Sequence, residues 1–221
     1  MEKTKRTEIN NGIVIEEYED GLLFGTDALL LSRFVKGGCG KNGVDIGCGS
    51  GVISLLLLSE NKAANMTGIE IQEKYTTLSE TNAKNNGFDT RFNCVNGDAR
   101  FPKGLFETEK ADFVVSNPPF MKANGGKFNA TESKTIARHE EFLPAEDLCR
   151  AASFFLKYGG AFYVVYRPER VCTLITALKN NNLEPKRIEF LVSDDKKTPS
   201  LVFIEAKKGG AEGVIINYIS L

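Results

Sequence analysis

The sequence contains a single histidine, His139, and five cysteines that form no Cys-x-x-Cys pair, so it lacks the donor spacing of a zinc site. Neither sign of charge is in excess, because 28 lysines and arginines face 29 aspartates and glutamates. That balance excludes a protein that coats nucleic acid by charge alone, so any polyanion must meet a local patch. The longest apolar run, 52–58, is too short to span a bilayer, and the first residues form no apolar signal segment. We therefore expect a reduced, cytoplasmic protein that binds neither a metal nor a membrane.

The composition provides enough apolar material for one buried core, because 42% of the 221 residues are hydrophobic. From about residue 43 onward, short β-rich runs alternate with longer segments of helical spacing, which is typical of an α/β domain with a mostly parallel sheet. Gly159 and Gly160 are expected to close the third helix of this domain. The predicted strands are 44–47, 66–71, 91–95, 112–116, 161–166, 187–192 and 201–206, and the predicted helices are 50–60, 73–86, 144–158 and 169–181.

The first 42 residues are expected to form a short N-terminal arm, a strand or hairpin followed by a helix over 26–35, that packs on a domain formed by 43–221. The segment 121–142 differs from both parts, because it is polar, contains glycine and has no period. A segment of that length is typical of a functional or disordered loop.

The sequence VDIGCGSG at 44–51 joins an apolar strand to a helix through Gly47, Gly49 and Gly51. Glycines let the backbone approach a ligand, and the free N–H groups of the following helix favour the polar part of a nucleotide-like cofactor. The pattern is G-x-G-x-G, and Val52 stands where a nicotinamide fingerprint needs its third glycine. The loop therefore predicts a cofactor other than a nicotinamide dinucleotide, although a structural turn is an equally common use of such a triplet alone.

An acidic residue lies at or near the end of each of the first three predicted strands. Asp45, two residues before the first glycine, suits a cofactor that carries a sulfonium and an ammonium better than a pyrophosphate. Glu70 closes the second strand, where a carboxylate can accept hydrogen bonds from both hydroxyls of a ribose. Asp98, in the sequence NGDA, closes the third strand and can accept a hydrogen bond from an adenine amine. Each acid alone could be a solvated strand-end carboxylate, but the three together indicate one cofactor site.

The sequence Asn117-Pro118-Pro119-Phe120 follows the fourth predicted strand, at the edge where open α/β sheets hold their ligands. Prolines donate no N–H and restrict the residue before them, so Asn117 and the Pro118 carbonyl are held with little freedom. A carboxamide oxygen and a carbonyl fixed in this way can accept both hydrogens of one planar amine, which frees a lone pair that conjugation otherwise delocalises. Phe120 can stack on the flat acceptor. Without the glycine loop, a rigid turn would explain the four residues as well.

The sequences VDIGCGSG and NGDA, together with Glu70, resemble the cofactor motifs of class I S-adenosylmethionine-dependent methyltransferases. The resemblance implies S-adenosylmethionine as cofactor and a Rossmann-like fold, with a seven-stranded, mostly parallel sheet that ends in an antiparallel hairpin. It also implies catalytic roles for Asn117, Pro118 and Phe120, because NPPF is similar to the (Asn/Asp)-Pro-Pro-(Tyr/Phe/Trp) signature of enzymes that methylate planar nitrogen. The cofactor-binding residues that it implies are Thr26, Asp45, Gly47, Gly49, Gly51, Glu70, Ile71, Asp98, Ala99 and Asn117.

Enzymes with that signature act on adenine N6, on guanine N2 of ribosomal RNA or on a glutamine of release factors, and the signature does not choose among them. The sequences DGLLFGTDALLL at 20–31 and ARHE at 137–140 resemble the bacterial tRNA(Val) adenine-N6 methyltransferase family, which modifies the adenine just 3′ of the anticodon. The resemblance implies N6 methylation of an RNA adenine, most directly in a tRNA anticodon loop. The guanine and glutamine acceptors stay open, as does a catalytically silent RNA- or cofactor-binding module.

The expected partner is therefore an RNA, bound by a monomer or a weak dimer. Four basic residues against two acidic ones give 121–140 a local positive charge that could meet phosphates. A solvated loop explains these charges equally well. The candidate substrate-binding residues are Lys122, Arg138, His139 and Arg167, with Lys127 and Lys134 as further cations of the same loop.

Overall fold

A computed structural model describes residues 3–19, 21, 23–118, 143–192 and 198–220. Short 3-10 turns lie at Asn10–Gly12 and Pro168–Arg170. The helices and strands, in chain order, are β1 (Thr4–Glu8), β2 (Val14–Tyr18), α1 (Thr26–Phe34), β3 (Asn42–Ile46), α2 (Val52–Ser59), β4 (Asn65–Glu70), α3 (Glu73–Asn85), β5 (Phe92–Asn96), β6 (Ala111–Ser116), α4 (Ala145–Phe155), β7 (Leu156–Tyr166), α5 (Val171–Asn180), β8 (Leu183–Val192), β9 (Leu201–Lys208) and β10 (Ile215–Ser220).

The main sheet has the strand order β10-β8-β9-β7-β6-β3-β4-β5. Only β9 runs antiparallel to its neighbours β7 and β8, and the other described pairs are parallel. The chain moves outward from β3 to β4 and β5, and then returns to place β6 on the other side of β3. Such a reversal opens a crevice at the carboxyl ends of the strands, where open α/β sheets bind ligands.

The predicted α/β fold with a C-terminal antiparallel hairpin is confirmed, and all seven predicted strands are present. The structure adds β10 as an eighth strand, parallel to β8 at the outer edge of the sheet. The side chains of Ile215, Ile216 and Tyr218 on this strand are more than half exposed. Because only Ile219 of β10 is partly buried against the core, its sequence lacks the alternation by which strands are recognised.

Buried apolar residues lie on both faces of the sheet, as a parallel sheet covered by helices requires. Val114 and Val115 are neighbours on β6 that point to opposite faces, and neither side chain is exposed. On one face, α2 is buried along nearly its whole length, because it packs between β4 and α1. The helices α4 and α5 cover the other face. Among the described residues, no helix is both long enough and apolar enough to cross a membrane.

The helix predicted over 144–158 ends earlier, at Phe155, and the two glycines that were expected to close it lie inside β7. Leu156 pairs with Ala111 and Ala161 pairs with Phe113, so four residues of β7 bulge out opposite one residue of β6. Gly159 has a φ of +79° in this bulge, a conformation that glycine adopts without strain. The glycines therefore serve the bulge and not a helix end.

The hairpin of β1 and β2 docks on the C-terminal end of α3 through two carboxamides, Asn82 in the helix and Asn86 at its C-cap. Asn86 bonds to the N–H and the carbonyl of Val14, each at 2.8 Å. Asn82, which is fully buried, does the same with Glu16, and its Nδ2 also donates to the Ser50 carbonyl at 3.0 Å. One side chain thus joins the N-terminal hairpin, α3 and the glycine loop.

We expect Asn82→Ala to lower the free energy of unfolding by about 3 kcal/mol, because it removes three hydrogen bonds and leaves buried backbone groups unpaired. The matched control is Asn93→Ala on exposed β5 surface, where the expected change is within about 0.5 kcal/mol. Urea unfolding followed by circular dichroism measures both variants. Equal stability of the two variants would show that Asn82 does not hold these elements together.

Candidate active site

The glycine loop turns at the carboxyl end of β3 through three residues with positive φ: Gly47 at +73°, Gly49 at +54° and Gly51 at +83°. A side chain in these conformations would be strained. Among the described residues, no atom lies within 4 Å of where a Cβ would stand on Gly47 or Gly49. The loop therefore presents bare backbone to open space, which is the surface that a ligand can approach closely.

The underside of the loop is tightly packed. Cys48 is buried, and its Sγ lies 3.4 Å from the Sγ of Cys94 on β5. A Cβ on Gly68 of β4 would stand 2.6 Å from the Cys48 sulfur, so only glycine leaves room for this side chain. The hydrogen bond with Cys94 and burial raise the pKa of the Cys48 thiol, as expected for a packing residue and not for a nucleophile.

Glu70, at the end of β4, is 6% exposed and holds the loop from the side. Its Oε2 accepts from the Gly49 N–H at 3.1 Å, and its Oε1 accepts from the Gln72 N–H at 2.9 Å. Burial raises the pKa of this carboxyl, and the backbone hydrogen bonds oppose that effect. Each oxygen keeps acceptor capacity beyond its one described bond, so the geometry is compatible with the predicted ribose hydroxyls.

Asp45, on β3 directly beneath the loop, is 1% exposed. Its Oδ2 accepts from the Ser54 Oγ of α2 at 2.8 Å, whereas its Oδ1 has no hydrogen-bond partner among the described residues. Burial raises the pKa of Asp45 to about 7, the Ser54 hydrogen bonds lower it, and the nearby Glu70 charge raises it further. A buried acceptor without a partner is costly, so this carboxyl fits a ligand that brings positive charge or donors to the loop.

Asp98 differs from the sequence expectation, because its carboxylate already has a partner. Arg100 donates to it from Nε and from Nη2 at 2.6 Å, and the Arg100 N–H bonds to Oδ1 at 2.9 Å. These bonds lower the pKa of Asp98. A ligand amine would therefore compete with a guanidinium. The neighbouring Ala99 is buried, while Ile71, directly after β4, is 46% exposed.

Asn117 leaves the sheet next to the glycine loop. In the parallel register, Asp45 of β3 lies opposite Val115 of β6, and the buried Ser116 Oγ donates to the Ile46 carbonyl at 2.8 Å. The half-buried Asn117 then donates from Nδ2 to the Oδ2 of Asp27 at 3.0 Å. The two predicted motifs, the glycine loop and the first two residues of NPPF, are thus brought together at one edge of the sheet.

Asp27, in the first turn of α1, is the residue that the sequence interpretation missed as a partner of Asn117. The sequence GTDA shows an acid at the start of a helix, beside the predicted cofactor residue Thr26, but no local pattern links that acid to Asn117. The Thr26 side chain is exposed, and Pro118 is buried. Arg167 lies half-buried beyond the carboxyl end of β7. The other predicted site residues, Phe120, Lys122, Lys127, Lys134, Arg138 and His139, lie outside the described residues.

Residues 19–181 match the sequence model of the methyltransferase small domain family. A tRNA1(Val) (adenine(37)-N6)-methyltransferase from Porphyromonas gingivalis is 30% identical over 82% of this chain and 72% of its own length. A protein of the same name from Flavobacterium psychrophilum is 26% identical over 91% of this chain and 87% of its own.

Solved methyltransferase structures share this fold. A predicted O-methyltransferase from Agrobacterium tumefaciens has a TM-score of 0.67 at 19% identity, covering 88% of this chain and 85% of its own. Geranyl diphosphate C-methyltransferase from Streptomyces coelicolor, in complex with S-adenosyl-L-homocysteine, has a TM-score of 0.57 at 15% identity. The match covers 83% of this chain and 77% of that protein's chain. At these identities the likeness shows a shared fold.

We expect Asp45→Asn to stabilise the ligand-free protein relative to wild type as the pH rises. With a pKa raised to about 7, the folded state holds a proton that the unfolded chain has already lost. The free energy of unfolding of the wild type therefore falls as the pH rises toward the folded-state pKa of about 7, whereas Asp45→Asn has no carboxyl to lose this stability. The free energy of unfolding of Asp45→Asn minus that of wild type should increase by about 3 kcal/mol between about pH 5 and pH 8.

Urea unfolding at several pH values measures this difference, with Asp89→Asn on an exposed turn as the matched control. A difference between Asp45→Asn and wild type that does not change with pH would contradict the assignment of a buried, protonatable Asp45.

Proposed function

We propose that this chain, which belongs to the methyltransferase small domain family, methylates the exocyclic N6 amine of an adenine in the anticodon loop of a tRNA. It is an S-adenosylmethionine-dependent methyltransferase, as its family and its tRNA-modifying relatives support. The observation that carries the finer assignment is the position of Asn117, one hydrogen bond from Asp27 and directly beside the glycine loop. A carboxamide at that point can hold a planar amine.

The residues around the loop fit the cofactor in charge and shape. S-adenosylmethionine supplies a methyl group on a positively charged sulfur. The open backbone face at Gly47 and Gly49 accepts a close ligand. Beneath it lies the Oδ1 of Asp45, which has no partner among the described residues and carries negative charge once the carboxyl ionises. Glu70 offers acceptors to ribose hydroxyls. We assign the remaining cofactor contacts to Thr26, Gly51, Ile71, Asp98, Ala99 and Asn117, with Asp98 sharing its carboxylate with Arg100.

Asn117 and Pro118 act on the acceptor nitrogen. The lone pair of an adenine amine is delocalised into the ring, so the amine is a poor nucleophile. The Asn117 Oδ1 and the Pro118 carbonyl accept its two hydrogens, which favours a pyramidal nitrogen with a directed lone pair. No strong base is needed, because the alkylated nitrogen is acidic enough to release its proton to water. Catalysis then rests on position and electrostatics.

The acceptor is an adenine that has left its stack. Phe120 stacks on the exposed ring, and Lys122, Lys127, Lys134, Arg138, His139 and Arg167 meet the phosphates and bases around it. A chain with a net charge of -1 depends on such a local patch and on the folded shape of its RNA. In this proposal residues 1–42 form an arm on a domain of 43–221, and the protein acts in the cytoplasm as a monomer or weak dimer without metal.

Incubation with labelled S-adenosylmethionine and total tRNA that lacks the modification, followed by nucleoside analysis, tests the substrate. We expect N6-methyladenosine in one tRNA, and a steep loss of activity with added salt because phosphate contacts are screened. N2-methylguanosine in ribosomal RNA would instead assign a guanine acceptor. Label in a release-factor glutamine would exclude RNA as the substrate, and no transfer to any of these substrates would exclude the activity.

We expect Asn117→Ala to lower turnover by at least about a hundredfold, because the carboxamide acts mainly in the transition state. S-adenosylmethionine affinity should stay within a few fold, because Asn117 is only one of many assigned cofactor contacts. Asn217→Ala on the outermost strand is the matched control, and it should behave as wild type. Steady-state kinetics and titration calorimetry separate the two effects. Normal turnover by Asn117→Ala would show that the NPPF motif is only a structural turn.

A further inference from the structure

We propose that Asp27 is a positioning residue for methyl transfer, which fixes the Asn117 carboxamide with its oxygen toward the acceptor amine. The proposal rests on the function proposed above and adds to it a residue that acts through Asn117. The two residues are 90 positions apart in the chain, and the fold places the Asn117 Nδ2 3.0 Å from the Asp27 Oδ2.

The chemistry of this contact allows one orientation. An ionised carboxylate only accepts hydrogen bonds, so the amide nitrogen of Asn117 must face Asp27 and its Oδ1 must face elsewhere. The two ends of a carboxamide have nearly the same shape, so packing alone does not choose between them. If the amide turned over, Asn117 would present N–H donors to an amine that also carries hydrogens, and the acceptor for those hydrogens would be lost.

The Asp27 carboxylate is itself held in place. It lies in the first turn of α1, where the helix dipole favours a negative charge, and the following Ala28 and Leu31 anchor α1 in the core. The chain entering α1 is tied down by the buried Glu17 of β2, whose Oε1 accepts from the Phe24 N–H at 2.6 Å. A positioning group needs such support, because a loosely held carboxylate would not orient the amide.

A reciprocal exchange of the two side chains tests the proposal. The amide in Asp27→Asn can bond to either orientation of the Asn117 amide. Asn117→Asp places two carboxylates next to each other, which repel. In the double variant, the new amide at position 27 donates to the new carboxylate at position 117, whose second oxygen still faces the amine. We therefore expect each single variant to lower kcat by about ten- to a hundredfold, and the double variant to recover about tenfold over Asn117→Asp.

The same assays give KM for tRNA and calorimetry gives Kd for S-adenosylmethionine, which should stay within about threefold in Asp27→Asn because the residue acts through Asn117. Asp89→Asn is the matched control on an exposed turn. Wild-type kcat in Asp27→Asn, or a double variant no better than Asn117→Asp, overturns the proposal. A loss confined to cofactor affinity also overturns it and assigns Asp27 to the cofactor.

A second readout separates this proposal from the proposed function. Thermal unfolding of Asp27→Ala, Asn117→Ala and their double variant reports whether the two side chains interact, whatever the protein methylates. We expect the decrease in melting temperature of the double variant to be smaller than the sum of the decreases of the two single variants. Strictly additive losses overturn the positioning role. A wild-type protein that methylates no tRNA, with non-additive losses, overturns the proposed function and leaves the contact established.

Discussion

Asp45 lies beneath the glycine loop with one carboxylate oxygen bonded to Ser54 and the other without a partner among the described residues. Burying a charged group that is only partly satisfied destabilises a fold, and the pKa of Asp45 rises to about 7 because of that burial. A positively charged ligand on the loop would supply the missing interaction. In this account, the stability of the free protein and its affinity for the cofactor therefore depend on the same carboxyl.

Three further polar contacts hold the loop above Asp45 in one shape. Glu70 binds the Gly49 N–H, and Asn82 binds the Ser50 carbonyl. Ser116 binds the Ile46 carbonyl just before the loop, which links it to the strand that delivers Asn117. The strand β3, which leads into the glycine loop, pairs with β4, which carries Glu70, and with β6, which leads to Asn117. The relative position of the cofactor side and the acceptor side of the proposed site is therefore set by backbone pairing and not by a flexible joint.

Much of this arrangement could be predicted from the sequence, because parallel strands bring their carboxyl ends to one edge. The glycine loop, Glu70 and Asn117 meet there for that reason alone. The partner of Asp98 could not be predicted, since it depends on the side-chain conformation of Arg100. The bond between Asp27 and Asn117 joins residues 90 positions apart, and no local pattern records it. The glycines in the bulge of β7 were misassigned because glycine ends helices as readily as it permits bulges.

The central claim is that Asp45 is a buried carboxyl kept for a cationic cofactor, with one oxygen bonded to Ser54 and the other without a partner among the described residues. The most direct test is the Kd of S-adenosylmethionine for wild type and Asp45→Asn, measured by calorimetry across the pH range. Wild type must ionise a group with a pKa of about 7 before it attracts the cofactor, whereas the variant has no such group. The ratio of the two Kd values, variant over wild type, should therefore rise about tenfold between about pH 6 and pH 8. A ratio that stays constant over this range would contradict the account.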